Sequence, residues 1–190
     1  MTLTRLTLLF FTLISLTGCG SFLSSIGSEP IKDNPGERTY GARVEDEAIE
    51  TKSKVNINAS DEGFKSSHWN VISYNAYVLL VGQVPNEQLK QKASDVVREV
   101  RSVRRIYNEL EVAGNTSSMT RSSDTWLTTK VKSTLLASSE IEGNRVKVVT
   151  ENGVIYLMGL VSRTEAARIA EVARSSQGAQ KVVQIFEYID

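Results

Sequence analysis

The chain alternates between two spacings of apolar residues, and the whole alternation occurs twice. In the segments 44–57 and 124–137, apolar residues recur about every four positions, which predicts amphipathic helices. Each of these segments is followed by two short apolar runs, a second helical segment and a last apolar run. The order helix, strand, strand, helix, strand is therefore predicted for each half of the chain.

The two halves also match residue by residue, which indicates an internal repeat. The first helical segments share Asp46, Ile49, Thr51, Lys52, Lys54 and Ile57 with Asp124, Leu127, Thr129, Lys130, Lys132 and Leu135. The strand segments share Asn75, Val78, Leu80, Gly82 and Val84 with Asn152, Ile155, Leu157, Gly159 and Val161. For the last strand, we align Val103, Tyr107 and Leu110 with Val182, Phe186 and Ile189. The repeat predicts two tandem domains, at 44–113 and 122–190, joined by a small polar linker at 114–121.

The element order also predicts the fold class. A strand-helix-strand crossover is right-handed and makes its two strands parallel, whereas two strands joined by a tight turn are antiparallel. Each domain should therefore be a three-stranded mixed sheet covered by two helices, which is an α+β fold.

Turns and helix ends give further local predictions. Asn152-Gly153 supplies the two positive-φ positions of a type I′ hairpin turn. The first copy has Asn75-Ala76 there, and because alanine tolerates positive φ less well, we expect a different turn. Asp124 is a candidate N-cap for its helix, and the spacing of Ser162 and Glu165 predicts a capping box.

The start of the chain has the composition of a secretory signal. Arg5 precedes an apolar stretch over 6–16, which is too short to span a bilayer, and the sole cysteine follows at Leu16-Thr17-Gly18-Cys19. This arrangement resembles the bacterial lipobox, which implies removal of residues 1–18 and lipid attachment at Cys19. Gly20, in place of the Asp that retains lipoproteins at the inner membrane, favours the periplasmic leaflet of the outer membrane. Residues 19–43 read as a flexible tether reaching about 25–30 Å.

Charge and side-chain chemistry argue against several classes of function. Lys plus Arg and Asp plus Glu each number 22, so no basic surface excess points to nucleic acid. His68, the sole histidine, has no cysteine partner or acidic cluster at ligand spacing, so no metal site is expected. No arrangement of nucleophile, base and orienting group is visible. We therefore expect neither an enzyme, nor a cofactor, nor a small-molecule substrate.

Two segments carry a family resemblance. The order of elements, the run over 152–161 (Asn-Gly-Val-Ile-Tyr-Leu-Met-Gly-Leu-Val) and the valine-spaced run over 100–110 resemble BON domains. Together with the lipobox, the chain is similar to dual-BON-domain lipoproteins of the Gram-negative outer membrane. That resemblance implies phospholipid binding and outer-membrane integrity, with a link to the division site in some members. The second copy has Gly178-Ala179 where a Gly-Val pair is usual, and the first copy is the more divergent.

One candidate site follows from the residues themselves. At about 100° per residue, Trp126 lies more than about 90° from the apolar stripe of its helix, so it should be partly exposed. Lys130 lies one turn further on. An exposed Trp beside a Lys, on a domain tethered near a bilayer, suits the boundary of headgroups and acyl chains. We predict binding of an anionic phospholipid membrane by Trp126, Leu127, Lys130, Lys132 and Ser133. The first copy has Ala48 in place of the Trp, so the second domain should bind the lipid.

Two alternatives stay open from the sequence. Trp126 could instead be buried against the junction of the two domains. The protein could also be an adaptor that binds an envelope protein, such as outer-membrane assembly machinery, without recognising lipid. Salt separates lipid binding from the adaptor alternative in part, because lysine-phosphate contacts weaken at high ionic strength and a mainly apolar protein interface does not.

Overall fold

The computed structural model describes residues 34–190, and the elements follow the predicted order in both halves. The first half comprises α1 (Tyr40–Ser60), β1 (His68–Tyr74), β2 (Tyr77–Val84), α2 (Glu87–Arg98) and β3 (Arg105–Val112). The second half comprises α3 (Ser118–Ala137), β4 (Lys147–Glu151), β5 (Val154–Val161), α4 (Arg163–Arg174) and β6 (Lys181–Tyr188). The predicted signal peptide, Cys19 and most of the tether lie outside the described residues. No helix within 34–190 has the length and apolar character needed to cross a bilayer.

The two sheets have the predicted mixed topology. In the first sheet, β2 is central, pairs antiparallel with β1 and pairs parallel with β3. In the second sheet, β5 takes the same place between β4 and β6. One face of each sheet packs against the two helices of its own half, in separate apolar cores. The α+β fold of both domains is confirmed.

Both first helices begin earlier than predicted. The α1 helix begins at Tyr40 rather than Val44, because the Thr39 hydroxyl caps it by accepting the Ala42 N–H at 3.1 Å. The α3 helix begins at Ser118, so the last positions of the predicted linker are helical. Its cap is Ser117, and the prediction of Asp124 as the N-cap was wrong. The capping box of Ser162 and Glu165 at α4 is confirmed.

The two hairpin turns are alike, which corrects the prediction for the first copy. Asn75 and Ala76 have φ of 50° and 63°, close to the 49° and 75° of Asn152 and Gly153. The carboxylate of Asp46 accepts the N–H groups of Asn75 and Ala76, each at 2.8 Å. These hydrogen bonds fix the turn in spite of the alanine, and those from Asn152 and Gly153 to Asp124 do the same in the second copy.

The last strands align differently from the prediction. Val78 and Ile155 occupy equivalent positions, and they pair with Ile106 and Val182. Leu110 is likewise equivalent to Phe186, since these residues pair with Gly82 and Gly159. The predicted match of Leu110 to Ile189 was therefore out of register. Closely spaced Val and Ile residues allowed both alignments, and only strand pairing distinguishes them.

The second face of each sheet packs against the other sheet, so the two domains share a third core. This core contains Ile72, Tyr74, Leu79 and Val81 of the first sheet with Tyr156, Met158, Leu160 and Ile185 of the second. At its edges the polar contacts are reciprocal. Asn75 donates to Glu187 at 2.7 Å, and Asn152 donates to Glu111 at 3.3 Å. Each hairpin turn thus contacts the end of the other domain's last strand, as expected for approximate two-fold symmetry.

Candidate functional site

The α3 helix turns one face toward the core and the opposite face toward solvent. Leu127, Val131 and Leu135 are buried against the second sheet and α4. Asp124 is buried on the same face, where its carboxylate accepts the N–H groups of the 152–153 turn at 2.8 Å each. These contacts fix the rotation of the helix about its axis and so determine which side chains point outward.

Trp126 projects from the outward face. Its side chain is 58% exposed, and the Lys130 ammonium lies 4.9 Å from the centre of the aromatic ring. Ser133 is also exposed, about two turns from Trp126 on the same side of the helix. The structure thus places Trp126, Lys130 and Ser133 on one accessible surface.

Two of the residues predicted to bind lipid have other positions. Leu127 is only 3% exposed and belongs to the core of the second domain. The Lys132 ammonium donates to the carbonyl oxygens of Gly143 and Val146, at 2.7 and 2.6 Å. Burial lowers the pKa of Lys132. Its role in the structure is to hold the segment after α3 against the helix, so neither residue belongs to the outward face.

Among the charged side chains of α3, Lys130 is the one whose contact is with the exposed ring of Trp126 and not with a backbone group. Arg121 donates to the Thr116 carbonyl and to the Ser118 hydroxyl. Asp124 and Lys132 are engaged with backbone groups, as described above. A membrane or protein that contacts the outward face of α3 therefore meets one cation and one indole ring.

A groove runs along the first half of α3 beside Trp126. It encloses about 800 Å³ between the helix, the 152–153 turn and the loop before β6. Its lining includes Met119, Ser122, Ser123, Trp126, Gly153, Gly178 and Gln180. Met119, which is 80% exposed, lies before the helix start predicted at Asp124 and so was not among the predicted site residues. The spacing of Met119 and Trp126 by two helical turns is the signal that could have found it.

Trp126 is not part of the contact between the domains. That contact is built from the inner faces of the two sheets, and Trp126 lies on the outer face of the helix that covers the second sheet. The other tryptophan, Trp69, is partly buried, and its Nε1 donates to the Phe64 carbonyl at 2.9 Å. The two indoles thus differ in exposure, which makes Trp126 the better reporter of an external contact.

Carboxylates of both domains lie at the junction, and one of them is close to the groove. Glu111 accepts from Asn152, a residue that lines the groove. Burial raises the pKa of the Tyr156 hydroxyl, and the nearby Glu109, Glu111 and Glu151 raise it further. The positive charge of Lys130 is thus local to the helix face rather than a property of the whole domain. Among residues 34–190, no group of three acidic, histidine or cysteine side chains is placed to hold a metal ion.

Comparison with known protein families assigns both halves. The BON domain family matches residues 45–114 and again 123–189. The chain belongs to the BON-domain family. The two matched ranges of this dual-BON protein coincide with the two domains of the structure, and each domain has a three-stranded mixed sheet with two helices.

Three relatives are similar over most of their length. The chain is 35% identical over 188 residues to a protein named outer membrane lipoprotein DolP of Haemophilus influenzae, covering 99% of this chain and 97% of the relative. It is 36% identical over 152 residues to a 21 kDa hemolysin of Actinobacillus pleuropneumoniae, covering 80% and 78%. It is 28% identical over 195 residues to osmotically-inducible protein Y of Escherichia coli, covering 96% of each chain.

Proposed function

We propose that this dual-BON protein is an outer-membrane lipoprotein whose second domain binds anionic phospholipid through the outward face of α3. The observation that carries the proposal is the exposed Trp126 with the Lys130 ammonium 4.9 Å from its ring. Residue 48 of the first domain, an alanine, stands at the position that matches Trp126. The two domains thus divide their roles, and the second makes the lipid contact.

The chemistry of the two side chains suits the boundary between headgroups and acyl chains. An indole ring has an apolar body and a polar N–H, and it is favoured at this depth in a bilayer. A lysine near an anionic membrane surface contributes about 1 kcal/mol. With one cation and one aromatic ring, the intrinsic affinity is expected to be weak, and the contact positions the domain rather than anchoring it.

Lipidation at Cys19 supplies the anchor in this proposal. Attached acyl chains hold the protein at the membrane, and the tether makes docking of α3 effectively intramolecular, so a weak contact suffices. The similarity to an outer membrane lipoprotein supports this location. A periplasm-facing protein that contacts phospholipid in this way would support outer-membrane integrity, including at the division site where the membrane is remodelled.

The test is co-sedimentation of the polypeptide from Gly20 to Asp190, which retains the compact unit 35–190. Vesicles of phosphatidylcholine are compared with vesicles that also contain phosphatidylglycerol. We expect binding to the anionic vesicles, and a blue shift of Trp126 fluorescence when Trp69 is replaced by Phe. Trp126→Ala should weaken binding by about tenfold or more, given the apolar area of an indole.

Lys130 and its counterpart Lys52 provide a matched pair of variants. Lys130→Gln should weaken binding by roughly fivefold, in line with about 1 kcal/mol for one lysine, and higher salt should reduce the difference. Lys52→Gln removes the equivalent exposed charge from the first domain and should leave binding unchanged. If the protein binds neither kind of vesicle, the lipid proposal is wrong and the adaptor alternative takes its place.

A further inference from the structure

We propose that Met119 makes the docking of α3 on lipid sensitive to oxidation. This inference rests on the proposed function, because it concerns regulation of the same surface. Met119 lies in the first turn of α3, is 80% exposed and lines the groove that Trp126 also lines. A spacing of two helical turns puts the two side chains on the same side of the helix, about 10 Å apart along its axis.

Met119 therefore enters the bilayer boundary together with Trp126. A thioether is apolar and flexible, so it adapts to acyl chains as readily as to a protein core. The first domain has Gly41 at the matching position, so this contact belongs to the second domain alone. Lipid contact by α3 thus uses an oxidisable side chain as well as an indole.

The chain contains an internal reference for this chemistry. It has three methionines, of which Met1 lies in the predicted signal peptide. Met158 is fully buried, at 0% exposure, in the core between the two sheets. A peroxide in solution thus reaches Met119 freely and Met158 only when the fold opens, because susceptibility to oxidation follows exposure.

The reaction with hydrogen peroxide is a transfer of one oxygen atom. The sulfur lone pair of Met119 attacks one peroxide oxygen, the O–O bond breaks, and a proton moves so that water leaves. The sulfur loses two electrons and becomes a sulfoxide, while the peroxide is reduced to water. The product is polar and disfavours apolar surroundings, and methionine sulfoxide reductases restore the thioether. Oxidation thus weakens docking reversibly without breaking the lipid anchor.

The experiment uses the Gly20–Asp190 polypeptide and vesicles of phosphatidylcholine with phosphatidylglycerol. Binding is measured before treatment, after mild hydrogen peroxide, and after repair by methionine sulfoxide reductases A and B. Mass spectrometry of peptides confirms that Met119 carries one added oxygen and that Met158 and both tryptophans carry none. We expect oxidation to weaken binding roughly three- to tenfold, and repair to restore it. Met119→Leu is compared with itself before and after treatment, and its binding should not change.

The outcomes separate this inference from the proposed function. If untreated protein binds and the Met119 sulfoxide binds equally well, the inference is wrong and the lipid-binding function stands. If Met119→Leu loses binding on treatment to the same extent as the natural sequence, another residue is responsible and the inference is again wrong. If untreated protein does not bind anionic vesicles at all, both are overturned.

Discussion

Arg104 of the first domain and Glu187 of the second form a bidentate ion pair. The guanidinium nitrogens lie 2.9 and 2.8 Å from the two carboxylate oxygens, and Asn75 donates to the same carboxylate at 2.7 Å. Burial alone would raise the pKa of Glu187, but the hydrogen bonds from Arg104 and Asn75 outweigh it and hold the pKa below its usual value of 4.5. At the opposite edge of the junction, the position equivalent to Arg104 is Gln180, which has no charge, and Glu111 accepts from Asn152 there.

The ion pair should contribute measurably to the stability of the two-domain unit. Arg104 and Glu187 are partly exposed, so we expect a coupling free energy of about 0.5–1 kcal/mol from a double-mutant cycle of Arg104→Gln and Glu187→Gln. Unfolding in urea gives the four free energies. Arg98→Gln with Asp95→Asn is the control, because that exposed pair lies within α2, and its coupling should be smaller. Equal coupling in the two cycles would contradict a specific role for the junction pair.

The first hairpin turn should become more stable when its alanine is replaced by glycine. Ala76 has φ of 63°, a region that costs an alanine about 1 kcal/mol and costs glycine little. Ala76→Gly should raise the free energy of unfolding by up to about 1 kcal/mol. Gly153→Ala makes the reverse change at the equivalent position and should destabilise, since its Cβ would also meet the side chain of Gln180. A loss of stability in Ala76→Gly would show that the contact of the Ala76 methyl group with the first core outweighs the backbone strain.

Stability should fall in acid, and Asp46 should account for part of the loss. Burial would raise the pKa of Asp46, but hydrogen bonds from Ser73, Ala76, Arg38 and Asn75 together hold it below its usual value of 3.8. A carboxyl group whose pKa is lower in the folded state than in the unfolded state stabilises the fold at pH values above its unfolded pKa. That stabilisation is lost as the pH falls through the folded pKa.

The free energy of unfolding in urea should therefore drop below about pH 4. Asp46→Asn should be less stable at pH 7, by roughly 2 kcal/mol, because the amide replaces a charged acceptor. Its stability should also decrease less between pH 5 and pH 3 than that of the natural sequence. Parallel curves for the two proteins would assign the acid sensitivity to other carboxylates, such as Glu187.

Lys130 and Lys132 should respond in opposite ways to the same substitution. Lys132→Met leaves the carbonyl oxygens of the buried residues Gly143 and Val146 without their donor. It should therefore lower the free energy of unfolding by about 1–3 kcal/mol, while the folded protein still binds vesicles. Lys130→Met should leave the free energy of unfolding nearly unchanged, because its partner is the exposed ring of Trp126, and should weaken binding to anionic vesicles. Circular dichroism in urea and co-sedimentation measure the two effects. Weaker binding by folded Lys132→Met would return Lys132 to the lipid surface.

The repeat made the fold predictable, whereas side-chain partners decided the site. Periodicity and the Asn152-Gly153 turn suffice for the element order, the mixed sheets and the exposure of Trp126. The same periodicity could not distinguish Lys130 from Lys132, because the carbonyls of Gly143 and Val146 that bind Lys132 come from a loop without a repeat signal. The predicted start of α3 was too late because Asp is a residue type that often caps helices, whereas the carboxylate of Asp124 accepts from the hairpin turn.

The contact between the sheets was also beyond the sequence pattern. Strands β2 and β5 are apolar on both faces, and each face could be assigned to helices or to another sheet. The faces that pack together combine residues far apart in the chain, both in the shared core and in the reciprocal contacts at its edges.

This reciprocity has an evolutionary consequence. Two identical single-domain chains that met through these faces would form a symmetric pair, and a change in one sequence would alter both partners at once. Fusion into one chain removes that constraint, so each copy can accumulate its own substitutions while the shared core keeps them together. Trp126 at the position of Ala48, and Gln180 at the position of Arg104, are differences of the kind that fusion permits, because each changes one copy and leaves the other as it was.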